Sequence, residues 1–532
     1  MGIGDSADAP KFVFPANTLI PAGGYLLLFA GDADGTSGTH LGFSLAVEGE
    51  GVFLFDAGAA VVDSVEFGPQ IPDLSVGRTG HDAAWGLNLP TPGAANVAQP
   101  TGFTAGLVVN EWLASNDLTY DRDFIEIYNP SPVPVSLAGL YLTDDLGANP
   151  LKYQIPALSF VAASGFAVFE PNGGSGRNNA SFHLSKFSEG VALLGSGGAL
   201  IDQVLFYSQQ DDVSQGRATD GAEIFAFFAL PTPGFSNGTD LTAEAAILAS
   251  LRITEIMYNP AAGSDTEFIE LRNIGAQSIN LAGVQFSNGI AFQFPDINLG
   301  PGQYIVVVEN QAAFEAVYGA GLNVAGVYSG ALSNGGENLR LEIGALSAGI
   351  LDFSYDDGWY PETDGAGYSL VIRDDTLDRS LWGEASSWVP SGTAGGSPGA
   401  AGGANPYAIW AAANFSSSDP LVIGMGADPD RDGISNALEF ALGLRPLSFD
   451  AGPQYSVENG YLVVTYTESI SAAATVQIVP EVSDGLSVWQ SGPAFVTREV
   501  LGEAGDIRTV KATDVRLIGD GPRRFMHVRV TF

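Results

Sequence analysis

Apolar and polar positions alternate along this chain in short runs. Phe124-Ile125-Glu126-Ile127-Tyr128, Tyr461-Leu462-Val463-Val464-Thr465-Tyr466 and Phe525-Met526-His527-Val528-Arg529-Val530-Thr531 are strand-length and rich in aromatic and β-branched residues. Similar runs recur between Gly-rich turns, about every 8–12 residues, which predicts β-sandwiches or barrels. The period changes in three places. Pro406 to Phe415 predicts a helix with proline in its first turn. Thr242 to Leu248 predicts a short helical turn, and Leu438 to Gly443 a helix. With 68 Gly and 30 Pro, the composition agrees with strands and turns.

The strand pattern repeats. Phe124-Ile125-Glu126-Ile127-Tyr128-Asn129, followed by Leu137-Ala138-Gly139, returns at one common offset as Phe268-Ile269-Glu270-Leu271-Arg272-Asn273, followed by Leu281-Ala282-Gly283. An offset that long marks whole domains, because solenoid units are roughly 20–50 residues. A third copy starts in mid-repeat. Ile20-Pro21-Ala22-Gly23-Gly24-Tyr25-Leu26-Leu27-Leu28-Phe29 matches the later apolar segments ending at Phe169 and Val308, with no opening strands before it. The copies close at Thr91-Pro92-Gly93, Thr232-Pro233-Gly234 and Ser397-Pro398-Gly399. The expected domains are 1–98 (partial), 106–238, 250–400, a helical segment 404–448 and a small β-domain 453–532. The glycine- and alanine-rich stretch 391–405 is expected to be the most flexible joint. The missing opening strands predict an N-terminally truncated piece of a longer protein.

These motifs, in this order, resemble the lamin tail domain, an immunoglobulin-like β-sandwich. The resemblance rests on Asn110-Glu111 and Thr254-Glu255, the two Phe-Ile-Glu strands, the Leu-Ala-Gly turns, Pro301-Gly302 and the closing Pro-Gly segments. It covers roughly residues 10–400, and it departs at Ala162-Ala163-Ser164-Gly165, which lacks the Pro-x-Gly. It implies an all-β fold of tandem sandwiches, found in bacterial secreted or surface proteins, and binding or scaffolding rather than a reaction.

The sharpest chemical signal is Asp428-Pro429-Asp430-Arg431-Asp432-Gly433-Ile434-Ser435-Asn436-Ala437-Leu438-Glu439. Carboxylates at positions 1, 3 and 5, Gly at 6 and Glu at 12 have the spacing of a calcium loop. Asp428, Asp430, Asp432, Asn436 and Glu439 are the expected ligands. The loop resembles those of EF-hands, dockerins and thrombospondin type-3 repeats, with Ile434 one position early for an EF-hand. Glu111 with Glu126, and Glu255 with Glu270, could form acid–base pairs. Their recurrence in both copies favours a role in the fold instead. Trp359, Tyr360, Trp382 and Trp388 are a possible ligand-contact loop, since loop aromatics can stack on sugars. His40, His81, His183 and His527 stand in no metal-binding spacing.

Charge and composition narrow the reading. There are 60 acidic and 21 basic residues, a net charge of −39, which disfavours nucleic acid and suits hard cations. The absence of cysteine removes disulfides and thiol chemistry. No apolar run approaches the roughly 18–20 residues of a transmembrane segment. The start, Met1-Gly2-Ile3-Gly4-Asp5, lacks a signal-peptide pattern. The expectation is a non-catalytic, calcium-stabilised extracellular or cell-surface scaffold or adhesion protein that contacts other proteins or glycans. The alternative is an accessory region of a secreted hydrolase whose catalytic domain lies upstream.

Overall fold

A computed structural model describes residues 1–31, 38–80, 82–174, 176–400, 406–416, 420–474, 476–521 and 523–531. His81 and residues 401–405 of the expected flexible joint lie outside the described residues. The chain divides into two compact units. One is Met1–Leu248 with Glu342–Ile350, and the other is Ala249–Leu341 with Leu351–Phe532. The architecture is mostly antiparallel β, in tandem sandwiches, as the alternation predicts.

The sandwich of the first unit has a five-stranded sheet ordered Phe166–Phe169, Phe124–Tyr128, Val108–Leu113, Ser214–Arg217, Phe225–Phe228. Facing it is a four-stranded sheet ordered Tyr153–Gln154, Tyr141–Thr143, Glu189–Leu194, Leu200–Phe206. Between them Val109, Trp112, Ile125, Ile127, Leu142, Phe169, Val191, Leu193 and Phe206 form one core cluster. The strand Val108–Leu113 reaches this core through a register shift between Val109 and Glu111, where Asn110 is the extra residue. Strict alternation would send Glu111 inward and Trp112 outward. The bulge reverses both, placing Trp112 in the core and Glu111 directly opposite Glu126.

The second unit repeats this plan. Its larger sheet runs Val324–Val327, Tyr304–Val308, Phe268–Asn273, Leu251–Met257, Leu370–Ile372, Trp388–Pro390. The register shift recurs between Ile253 and Glu255, with Thr254 as the extra residue, and sets Glu255 opposite Glu270. Helix Gln311–Tyr318 and the parallel strand Val324–Val327 are additions to the plan. Asn129 and Asn273 fix the turn after their strands. Each donates its side-chain amide to two carbonyls, Val133 and Ala162 in one copy, Gln277 and Leu299 in the other. The Leu-Ala-Gly segments are tight turns whose third residue needs positive φ, met by Gly139 at 76° and Gly283 at 84°.

The expected partial copy, residues 1–98, has a four-stranded sheet, Phe12–Val13, Gly2–Gly4, Gly51–Phe55, Val61–Glu66, and a three-stranded one, Ser75–Thr79, Ala84–Leu89, Val97–Ala98. Among its described residues nothing corresponds to Val108–Leu113 or Phe124–Tyr128. Leu19, Ile20, Tyr25 and Leu27 are accordingly exposed. It is fastened to the next sandwich within the same unit. Ile71 and Leu87 pack with Phe160, and the Gly68 and Phe160 amides donate to the Ala157 and Pro69 carbonyls.

The C-terminal region has helices Pro406–Asn414 and Asn436–Leu442. Two sheets follow. One is Gln454–Glu458, Tyr461–Ser469, Ile507–Leu517, Val496–Ala504, and the other pairs Gln477–Ser483 with Phe525–Thr531. Helix Asn436–Leu442 serves two cores. Phe440 packs with Tyr407, Ala411 and Phe415, while Leu442 packs with Val464, Tyr466 and Val510. Gly443, at φ 67°, ends the helix, and the Leu444 amide returns to the Glu439 carbonyl at 2.8 Å. No helix among the described residues is long and apolar enough to cross a membrane.

Candidate metal centre and paired glutamates

Each full sandwich buries two facing glutamates on the outer side of its larger sheet, beneath its closing loop. Glu111 and Glu126 are 0% exposed. Glu111 accepts from the Thr232 amide at 3.1 Å, from the Thr232 hydroxyl at 2.6 Å, and from the Ser214 hydroxyl. Glu126 accepts from Asn110 Nδ2 at 2.9 Å and from the Gly234 amide at 2.7 Å. The other copy uses the same scheme. Glu255 accepts from the Ser397 amide at 2.8 Å, the Ser397 hydroxyl at 3.0 Å and the Ser369 hydroxyl at 2.5 Å. Glu270 accepts from the Thr254 hydroxyl at 2.6 Å and the Gly399 amide at 2.6 Å.

The closing motif is therefore a carboxylate receptor turned inward. Thr or Ser offers amide and hydroxyl to the first glutamate. Proline has no amide to leave unpaired. Gly234 and Gly399, at φ 84° and 85°, offer theirs to the second glutamate. Burial raises the pKa of all four carboxyls, and the Glu255 charge helps push Glu270 up to about 8. Every one of their oxygens is engaged with a loop or neighbouring strand, so the paired carboxylates are arranged as a lock on the fold. In the partial copy, which lacks these glutamates, Thr91 instead bonds Asn96, and Pro92 and Gly93 are exposed.

The aspartate loop is a different kind of site. Asp428, Asp430 and Asp432 bring ligand oxygens within 4.8 Å of one another, a cluster that could hold a metal ion. Its backbone is wrapped around those carboxylates. The Asp432 amide donates to Asp428 and Asp430 at 3.2 Å, and the Gly433 amide donates to Asp428 at 3.0 Å. The Ile434 and Asp450 amides donate to Asp432 at 2.8 and 2.9 Å. Gly433 takes the turn at φ 91°.

Asn436 and Glu439 lie one turn apart at the start of the following helix, and both are 0% exposed. Both Glu439 carboxylate oxygens, Asn436 Oδ1 and Asp430 Oδ2 are buried without a hydrogen-bond partner. Buried polar atoms ordinarily have partners, so four orphans in one loop mark a site shaped for something that accepts oxygen donors. Burial, with the charges of Asp430, Asp432 and Asp428, pushes the Glu439 carboxyl up to about 7. The donor set is all oxygen, which fits a hard divalent cation.

The aromatic loop corrects the sequence reading. Trp382 and Trp388 are both 0% exposed and cannot present a face to a ligand. Trp388 lies in the edge strand, stacks on Phe353 at 5.6 Å and donates its indole N–H to the Trp382 carbonyl at 2.7 Å. Trp382 donates to the Ile253 carbonyl at 3.3 Å. These rings close the end of the sandwich. Trp359 and Tyr360 are half-buried, and the Tyr360 hydroxyl is held by the Ala385 and Trp388 carbonyls. Of the described histidines, His40 stacks on Phe29, and His527 stacks on Trp489 and bonds Glu481.

A family model described as Lamin Tail Domain matches residues 102–208 and 245–347. The chain thus contains two lamin tail domains, and the matched stretches hold all four paired glutamates. No curated protein and no solved structure matches the chain.

Proposed function

We propose that this chain is a non-catalytic extracellular or cell-surface scaffold, built from lamin tail domains and stabilised by calcium at its C-terminal end. The observation that carries the calcium reading is Glu439, whose two buried oxygens have no partner and sit beside three aspartates. Asp428, Asp430, Asp432, Asn436 and Glu439 would hold the ion, which would supply positive charge where the fold has concentrated negative charge. The 12-residue spacing, with Gly433 at the bend and a carboxylate at each end, suits calcium better than zinc, which favours nitrogen and sulfur ligands. A site of this kind suits the calcium-rich space outside cells. The scaffold reading is supported by the glutamate pairs, whose oxygens are committed to closing loops rather than left open to a substrate. Loop residues, including the half-buried Trp359, would contact proteins or glycans.

The test is a calcium titration of the full chain by calorimetry, with Asp430→Asn and Glu439→Gln. Saturable one-site binding to the parent chain, lost in both variants, is the expected result. At a calcium concentration 100-fold above Kd, the bound ion would stabilise the folded region by about 2.7 kcal/mol. No binding up to millimolar calcium would refute the reading.

A further inference from the structure

The last strand of the larger sheet has a counterpart in all three copies. Ala84–Leu89, Phe225–Phe228 and Trp388–Pro390 pair in equivalent register with Ser75–Thr79, Ser214–Arg217 and Leu370–Ile372. Trp85, Phe225 and Trp388 share one position, and Leu87, Phe227 and Pro390 share another. One of these strands is covered at its end and one along its length. In the partial copy, Val97–Ala98 pairs with the Asn88–Leu89 end of Ala84–Leu89; Leu87, packed on Phe160, is 4% exposed, and Trp85 is 37% exposed. In the last copy all of Trp388–Pro390 is buried.

The middle copy differs. Phe225–Phe228 ends its sheet, and no described strand pairs its outer side. Phe225 is 40% exposed, Phe227 58% and Ile224 73%. From Ile224 to Pro231 there is no charged residue, on a chain whose net charge is −39. The strand runs in regular register without a bulge. Edge strands of monomeric proteins are usually blunted by charge, proline or a bulge, and an apolar edge left bare is a template for another strand. The partial copy supplies the precedent within this chain: at the equivalent edge the fold takes an added antiparallel strand.

We propose that Phe225–Phe228 is the contact through which two copies of this chain associate, edge to edge and antiparallel. The strand is complementary to itself. A two-fold axis at Ala226 sets Phe225 of each copy opposite Phe227 of the other, and both rings lie on one face because they are two residues apart. Aromatic cross-strand pairs of this kind stabilise sheets, and a two-fold contact closes at a dimer. The uncharged run brings no like charges face to face. The remaining repulsion between two acidic chains acts at longer range and is screened beyond about 8 Å at physiological salt, so association strengthens with salt.

The experiment is sedimentation velocity of the full chain across the micromolar range, at low and physiological salt, with hydrogen exchange on the same samples. The parent chain is expected to reach twice its 55.2 kDa mass, with slowed exchange at residues 225–228 in the dimer. Phe227→Lys should weaken association by roughly tenfold or more. Phe227→Thr, which keeps strand propensity and removes only the ring, should weaken it in the same direction. Phe103→Lys, at a 93% exposed position outside any strand, should leave it unchanged. A parent chain that stays monomeric at both salts overturns the proposal. So does a dimer that both Phe227 variants leave intact, or one in which residues 225–228 exchange as fast as in the monomer.

Discussion

If the closing loops are held by buried glutamates, removing one hydroxyl should loosen one loop and leave its sibling alone. Thr232→Val is the cleanest change, since valine keeps the branched shape and the amide. It deletes the 2.6 Å hydroxyl bond to Glu111, which then keeps only the Ser214 hydroxyl and the residue-232 amide. A hydrogen bond to a charged group is worth about 1.5–3 kcal/mol. Glu111 keeps two other donors after the change, which places the loss near the low end, at about 1.5–2 kcal/mol. Each 1.4 kcal/mol is a factor of ten, so local opening of the loop should become roughly 10- to 30-fold more frequent. Hydrogen exchange over residues 231–238 reads this directly, because the residue-232 and Gly234 amides both donate to the glutamates. The Gly399 amide, in the other lock, is the internal control and should not change. An exchange rate at 231–238 within a factor of about two of the parent's, or an equal acceleration at Gly399, would mean the glutamates do not hold these loops.

The remaining expectations concern the second unit. Glu270 has a folded pKa raised to about 8 from an ordinary 4.5. Its protonated form therefore favours the fold: that contribution is complete below about 4.5 and is lost as pH rises through about 8. Scanning calorimetry should show the transition of this sandwich falling between pH 5 and pH 9, and Glu270→Gln should flatten the fall. A parent transition that rises over that window would contradict the burial described. Trp388→Ala removes a fully buried indole that stacks on Phe353, and should cost about 3–5 kcal/mol in denaturant unfolding of the same sandwich. A loss below about 1 kcal/mol would return Trp388 to the set of ligand-contact candidates.

Much of the fold was legible because alternation is a local signal. Phe268 to Asn273 reads as a strand, and the structure makes it one in which all but Arg272 are buried. The aspartate loop was legible for the same reason, since its ligand positions lie within twelve residues. What escaped was long-range. The partners of Glu111 lie 103 and 121 residues away, at Ser214 and Thr232, and only the fold brings them together. The recurrence of a hydroxyl residue before Pro-Gly, Thr232 and Ser397, in both copies that carry the glutamates was the available clue. Trp382 and Trp388 were misplaced because a ring beside acidic loop residues can turn to either side. What decided it was a backbone carbonyl within reach of each indole. The fastening of the partial copy to Phe160 left no local trace, since an apolar residue reads alike whether its neighbour is its own domain or the next.

The extra residue at Asn110, repeated at Thr254, has a consequence for how these domains can vary. Either side of it the strand keeps its own phase, so a replacement at Asn110 changes that residue's own contacts, to Glu126, Asp220, Asn237 and the Gly221 amide, and leaves both flanks facing as they do. A further residue inserted beside it in regular register would shift the phase of everything on one side: Trp112 would swing toward the closing loop, and Glu111 would enter an interior with no donor to meet it. For this segment a one-residue insertion is a graver event than almost any replacement. A lineage that inherits the domain is thereby held against lengthening here even where its letters differ, as Asn110 and Thr254 do.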